Sequence, residues 1–224
     1  MRIIEFIGCP GSGKSSVCKG IMDELTREGY NVANVHRDEI RKGGLSRKIL
    51  SARSRLSPKM RSLGAELDKV MAYLPDKDSV WKRDVLNSSY KIGQKYVQGL
   101  DYAFFEEGPT QYITSILHDN AAGGYLRPLI DEVNRTFYAH DVTAFYITAD
   151  PEEIVDRIRK RNRSGDRFLS DDRDRMNSLI AIKQNNLDYI TKEIGYRKLY
   201  VIENHDLDKA ILQAMELVHK TEKE

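Results

Sequence analysis

The densest chemistry in this chain lies in Gly8-Cys9-Pro10-Gly11-Ser12-Gly13-Lys14-Ser15-Ser16. Gly8, Gly13, Lys14 and Ser15 stand at the fixed places of a Gly-x-x-x-x-Gly-Lys-Ser spacing. That spacing turns the backbone amides of one loop inward, around a concavity the size of a phosphate. Gly8, Gly11 and Gly13 lack a Cβ, so the chain can turn sharply and come close to an anion. A helix beginning near Gly13 would aim its positive end at the same anion. Lys14 offers a point charge to the outer phosphates, and the Ser15 hydroxyl a ligand to the magnesium ion that travels with them. Gly8, Gly11, Ser12, Gly13, Lys14, Ser15 and Ser16 are therefore the expected ATP-binding set.

Three further stretches bear on chemistry. Glu106-Glu107-Gly108-Pro109 follows a short apolar run. Glu106 is suited to a metal-bound water, which with Ser15 makes the expected Mg2+ pair, or to act as the base for an acceptor hydroxyl. Glu107 can cap the helix that Pro109 begins. The second stretch holds Arg157, Arg161, Arg163 and Arg167, at the end of one helix and in the loop after it. Arginine suits bidentate phosphate contact. A mobile arginine loop over residues 157–170 would place positive charge on a transferred phosphoryl group and exclude water. Solvent-exposed arginines paired with Asp166, Asp171, Asp172 and Asp174 are the plain alternative. The third stretch, residues 41–61, has eight Lys or Arg and no acidic residue. It reads as a solvated face or as a site for an anionic acceptor, with Arg37, Asp38, Arg41 and Arg47 nearest to the expected site. Few aromatics interleave it, which disfavours a single-stranded nucleic acid platform.

These residues need elements to position them. Ile3, Ile4, Phe6 and Ile7 read as a buried strand running into the glycine loop. Glu5, inside it, is out of place in a buried parallel strand, and nothing in the sequence accounts for it. Val17, Cys18, Ile21, Met22 and Leu25 recur at helical spacing, and Gly29 ends that helix. Residues 31–36 form a second strand with Arg37 and Asp38 at its end. Residues 43–99 read as a mostly helical insertion over the acceptor site. Leu45, Ile49, Ala52 and Leu56 form one apolar stripe in it, and Leu63, Leu67, Val70 and Met71 another. Tyr102–Phe105, Val142–Thr148 and Lys198–Glu203 are the remaining strands. Helices are expected from Pro109, through Leu129 to Phe137, from Pro151 with Asp150 as cap, from Met176 to Ile194, and after Asp206. Strands separated by helices imply right-handed crossovers. The expected fold is α/β: one domain over 1–224 with a five-stranded parallel sheet, helices on both faces, a helical insertion and an arginine-bearing lid. Gly8, Asp38, Glu106, Asp150 and Asn204 would gather at the strands' C-terminal ends, where such sheets bind ligands.

The chain as a whole sets bounds. Its 36 basic and 34 acidic residues among 224 give a net charge of +2, which names no partner. No apolar run reaches the roughly 18 residues of a membrane span, so a membrane is not expected as a partner. The first strand starts almost at residue 2, so a signal peptide is not expected. Cys9 and Cys18 have no metal or redox spacing and read as free thiols in a reducing cytoplasm. The five histidines are scattered. A homodimer is left open.

On its glycine loop the chain resembles P-loop nucleotide-binding proteins. Asp150-Pro151-Glu152-Glu153, a helix ending Arg157-Ile158-x-x-Arg161, an arginine-bearing loop and a long helix are similar to thymidylate kinases, deoxynucleoside kinases and the wider nucleoside monophosphate kinase-like group. The order of elements agrees from residue 2 to about 219. The resemblance implies an ATP- and magnesium-dependent kinase, with Arg161, Arg163 and Arg167 as lid residues. Asp38 and Glu106 would face the acceptor. It departs from the group after Glu106, where an arginine usually holds a substrate phosphate and this chain has Glu107. The implied activity is phosphoryl transfer to a small acceptor, a nucleoside monophosphate foremost. The alternatives are a nucleoside or polynucleotide 5′-hydroxyl kinase, or a regulatory ATPase with no small acceptor. Asn/Thr-Lys-x-Asp and Leu-Ser-Gly-Gly-Gln, the marks of switch GTPases and transporter ATPases, are missing.

Overall fold

A computed structural model describes residues 1–35, 45–72, 80–92, 98–116, 126–162 and 168–222. Five strands are described: β1 (Arg2–Ile7), β2 (Val32–Asn34), β3 (Tyr102–Phe105), β4 (Val142–Thr148) and β5 (Lys198–Glu203). They form one parallel sheet in the order β2-β3-β1-β4-β5. The described helices are α1 (Lys14–Arg27), α2 (Leu45–Leu56), α3 (Arg61–Ala72), α4 (Val80–Ile92), α5 (Pro109–Ile116), α6 (Arg127–Thr136), α7 (Pro151–Arg161), α8 (Arg173–Glu193) and α9 (Leu207–Glu222), with a 3-10 turn at Pro58–Met60.

The alternation of side chains along each strand divides the core between two faces. Ile4, Phe6, Tyr102, Phe104, Phe145, Ile147 and Ile202 pack on one side, against Val17, Ile21 and Leu25 of α1 and Ala210, Ala214 and Val218 of α9. Phe6 sits 5.7 Å from Phe104 and 5.6 Å from Phe145, ring centre to ring centre. Ile3, Ala103, Phe105 and Val142 face the other way, onto α3, α5 and α6. Ile7, Ala144 and Tyr146 do the same onto α7 and α8. Both faces of the central strands are thus covered, as parallel sheets require.

Local rules account for the helix ends. Gly29, at φ 91°, closes α1: Tyr30 N–H donates to Leu25 O and Gly29 N–H to Thr26 O, the paired bonds of a Schellman end. Asp150 accepts from Glu152 N–H at 2.8 Å and begins α7, with Pro151 in its first turn. Asp206 accepts from Lys209 N–H at 3.1 Å at the start of α9.

The helical character expected for 43–99 holds in α2, α3 and α4. Leu63, Leu67 and Val70 of α3 are buried, and Met71 packs against them. The stripe on α2 points the other way: Leu45, Ile49, Ala52 and Leu56 are exposed, and the helix is seated by Leu50, Ser51 and Ser54. Periodicity finds a stripe but not the side from which it is covered.

Candidate active site

β1 and β3 are neighbours in the sheet, yet their connections leave on opposite faces. After β1 the chain passes to α1, and after β3 to α5. A crevice opens above strands whose connections diverge in this way. The loop Gly8–Gly13 lies on one side of it and Glu106 on the other.

Gly13 is the N-cap residue of α1, in the left-handed region at φ 92° and ψ 10°. A Cβ there would fall 2.0 Å from Asn204 Nδ2. Only glycine fits this position. Asn204, just past β5, donates from Nδ2 to Ser12 O at 2.7 Å and so ties the loop to the far side of the sheet. Gly8 N–H faces Gln111 Oε1 at 3.4 Å. No side chain caps α1 and its first turn holds no acidic residue, so its positive end is kept for an external anion. Ser12 Oγ is buried without a hydrogen-bond partner among the described residues. An uncapped helix start, a glycine loop and an orphaned hydroxyl suit the phosphates of a nucleotide.

Lys14 is 9% exposed. Burial pulls its pKa below the ordinary lysine value, and the carboxylate of Glu107 is foremost among the groups that oppose this, with Cys9 and Glu106 behind it. Arg161, at the end of α7, is close enough to act on Lys14 in the opposite sense. The Ser15 hydroxyl donates to Glu106 Oε1, and Asn34 Nδ2, at the end of β2, donates to Glu106 Oε2 at 3.2 Å. Ser15 and Glu106 were expected as a magnesium pair; the fold brings them into direct contact and holds the second carboxylate oxygen from β2. Oxygen donors of this kind suit magnesium.

Arg37, Asp38, Arg41, Arg163 and Arg167 lie outside the described residues, as does the side chain of Arg47. Asp150 is taken up as the α7 cap, and Arg157 donates to Asn204 O at 2.8 Å. Ser16 is exposed beside Ser15 at the start of α1.

Several groups escaped the sequence reading. Asn34 and Gln111 sit in segments with no motif. Lys183, in the middle of α8, is 3% exposed and donates to Thr114 Oγ1 at 2.6 Å on α5. Its charge is felt at Cys9, whose thiol burial pushes up to about 11. Within α8, Lys183 lies between Ile180 and Leu187 at helical spacing, which could have marked it as inward-facing.

Glu5 now has an account. It is fully buried, and its carboxylate accepts from Thr110 N–H at 3.1 Å, Thr110 Oγ1 at 3.2 Å and Tyr138 OH at 2.5 Å. Thr110 is the second residue of α5, so Glu5 fills, from the neighbouring strand, the capping place that Gly108 leaves empty. A Cβ on Gly108 would fall 2.3 Å from Glu5 Oε1. The turn that carries Glu106 and Glu107 is therefore packed directly onto Glu5.

No protein-family model matches the chain, and neither does any curated protein. Among solved structures it is similar to deoxyadenosine kinase from M. mycoides. With products dCMP and a flexible dCDP bound, that enzyme aligns at a TM-score of 0.51 and 15% identity over 97% of this chain and 99% of the other. With dATP bound it aligns at 0.51 and 16% over the same shares. Shikimate kinase from Bacteroides thetaiotaomicron aligns at 0.51 and 11% over 97% of this chain and 98% of that one. Identities this low speak for fold alone. The fold is that of the P-loop NTPases, a five-stranded parallel sheet flanked by helices, in the form that these kinases share.

Proposed function

We propose that the chain is a P-loop phosphotransferase that moves the terminal phosphoryl group of ATP to a small acceptor. The observation that carries this reading is the meeting of Ser15 and Glu106 at the mouth of the glycine loop, beside the buried Lys14. Phosphoryl transfer asks little of a protein beyond alignment and charge. The loop amides and the N-terminus of α1 hold the donor, and Lys14 faces its outer phosphates. Ser15 and Glu106 would hold magnesium, which would neutralise charge on the donor. Arg161, with Arg163 and Arg167, supplies positive charge from the lid. The acceptor oxygen bonds to the terminal phosphorus as the bond to ADP breaks, and Asp38 or Glu106 takes the acceptor's proton.

The acceptor is a phosphorylated small molecule, a nucleoside monophosphate foremost, with Arg37, Arg41 and Arg47 as its cations. A second reading takes an uncharged hydroxyl, on a nucleoside or at a polynucleotide 5′ end. The nearness of Glu107 to Lys14 favours it, because a carboxylate stands where the resembled group places an arginine. A regulatory ATPase without an acceptor has less support, since it needs no lid. Cytoplasmic location belongs to the same proposal.

The test is ADP release with mononucleotides, nucleosides, phosphosugars and 5′-hydroxyl oligonucleotides, each with magnesium. Acceptor-stimulated release identifies the class, and equal release in all arms sinks the phosphotransferase reading. Glu106→Gln should cut turnover by roughly 10²-fold while ATP affinity stays within about threefold, because its carboxylate acts on the chemical step.

A further inference from the structure

α2 is inside out. It meets the body of the protein through Leu50, Ser51 and Ser54, and the Ser54 hydroxyl donates to Asn87 Oδ1 on α4 at 3.0 Å. Its larger aliphatic side chains point to solvent: Leu45 is 73% exposed, Ile49 44% and Leu56 76%, with Ala52 exposed among them. At about 100° per residue these four share an arc of roughly 60° that runs along about 16 Å of helix. Lys48 and Arg55 lie along one margin of the arc and Arg53 along the other, all three exposed. Residues 45–61 add Lys59 and Arg61, both exposed, and contain no carboxylate to balance them.

Three occupants can cover such a face. A second copy of the same face would set Lys48, Arg53 and Arg55 against their own images, and like charges at close range repel. A partner helix would find a seam of fewer than two heptads, short of the three to four that sustain a coiled coil. A bilayer asks only for an apolar strip lying along its surface, with cations on both margins. Their aliphatic stems can run beside the strip while the charges reach anionic headgroups. We propose that α2 is an interfacial helix that lays Leu45, Ile49, Ala52 and Leu56 on a bilayer containing anionic lipid, with Lys48, Arg53 and Arg55 on its headgroups. No helix among the described residues is long and apolar enough to span. The expectation of no membrane partner rested on spans alone, and an interfacial helix escapes that criterion. The proposal does not depend on the phosphotransferase reading.

The experiment is sedimentation of the full chain with vesicles of phosphatidylglycerol and phosphatidylcholine in equal parts, and with phosphatidylcholine alone. Binding is expected to the first and not the second, and to weaken when salt rises from about 50 to about 500 mM, because exposed charges are screened. Each cation near such a surface is worth about fivefold in partition, so Lys48→Gln/Arg53→Gln/Arg55→Gln should weaken binding on the order of 100-fold. Leu45→Gln/Leu56→Gln should weaken it as well. All five side chains are exposed, so melting temperature and ATP binding should be unchanged in both variants. No binding to the anionic vesicles overturns the proposal, as does binding that both variants retain. A concentration-dependent dimer abolished by Leu45→Gln/Leu56→Gln, without vesicle binding, assigns the face to a second copy. Binding to soluble polyglutamate but not to vesicles assigns it to an acidic protein.

Discussion

Lys14 and Glu5 are both buried charge-bearing residues near the loop, and their expected effects on substitution differ. Lys14 is the residue proposed to face the phosphates of the donor. Lys14→Ala should leave the fold intact, since it removes a group whose burial is itself unfavourable, and should lower turnover by ~10²-fold or more. Transfer within about threefold of wild type would remove the phosphate-loop assignment. Glu5 acts on the fold. Its pKa is pushed up to about 7 from an ordinary 4.5, chiefly by burial, with the bonds from Tyr138 and Thr110 pulling it part of the way back. The folded state therefore holds this proton more tightly than the unfolded one. Stability should fall as pH rises from about 4.5 to about 7 and then level off, by about 3 kcal/mol in all. Tyr138 and Tyr196, the titratable groups beside it, are both raised well above 10 and stay neutral across this window. Urea unfolding at pH 5, 6, 7 and 8 should show the decline in wild type and a flatter profile in Glu5→Gln. Parallel profiles would mean that Glu5 is not the group responsible.

At the scale of elements, the turn from β3 into α5 joins fold to site. Glu106 directly follows the strand, Gly108 abuts Glu5, and Thr110 is capped by it. Gly108→Ala would place a methyl group where the Glu5 carboxylate lies, so one of them must move. We expect a loss of about 1–3 kcal/mol, the usual range for overpacking. Turnover should fall more than ATP affinity, because the shift reaches Glu106 before it reaches Lys14. Equal stability by chemical denaturation would show that Glu5 relaxes freely. This turn also marks the limit of what the sequence disclosed. The glycine loop, the five strands and the caps at Asp150 and Asp206 were legible because each is a local pattern with a local cause. Glu5 was not, since its partners Thr110 and Tyr138 are 105 and 133 residues away. Asn34 was hidden for the same reason: it meets Glu106 across 72 residues. α2 was legible as a helix and as a stripe, but its outward orientation depends on how it packs against α4.

For the whole molecule, the strand order decides what can reach the donor. β1 and β3 form the centre of the crevice, and β2, next to β3, ends at Asn34 beside Glu106. The chain leaves β2 beside Glu106, the carboxylate proposed to act in transfer. Arg37, Asp38 and Arg41 come within a few residues of that end, and Arg47 follows in α2. A phosphorylated acceptor would need such cations, because Glu107 replaces the arginine expected after Glu106. Arg41→Gln/Arg47→Gln should raise the acceptor's KM by roughly tenfold or more while the KM for ATP changes less than about threefold, as expected for two lost charge-assisted contacts. Added salt should act in the same direction, since exposed charges are screened over about 10 Å at 0.1 M. The measurement is steady-state kinetics with the acceptor found by ADP release, at two ionic strengths. If the active acceptor is uncharged and the double variant handles it as wild type does, these arginines belong to the surface, and the carboxylate at Glu107 fits the pocket of a neutral hydroxyl.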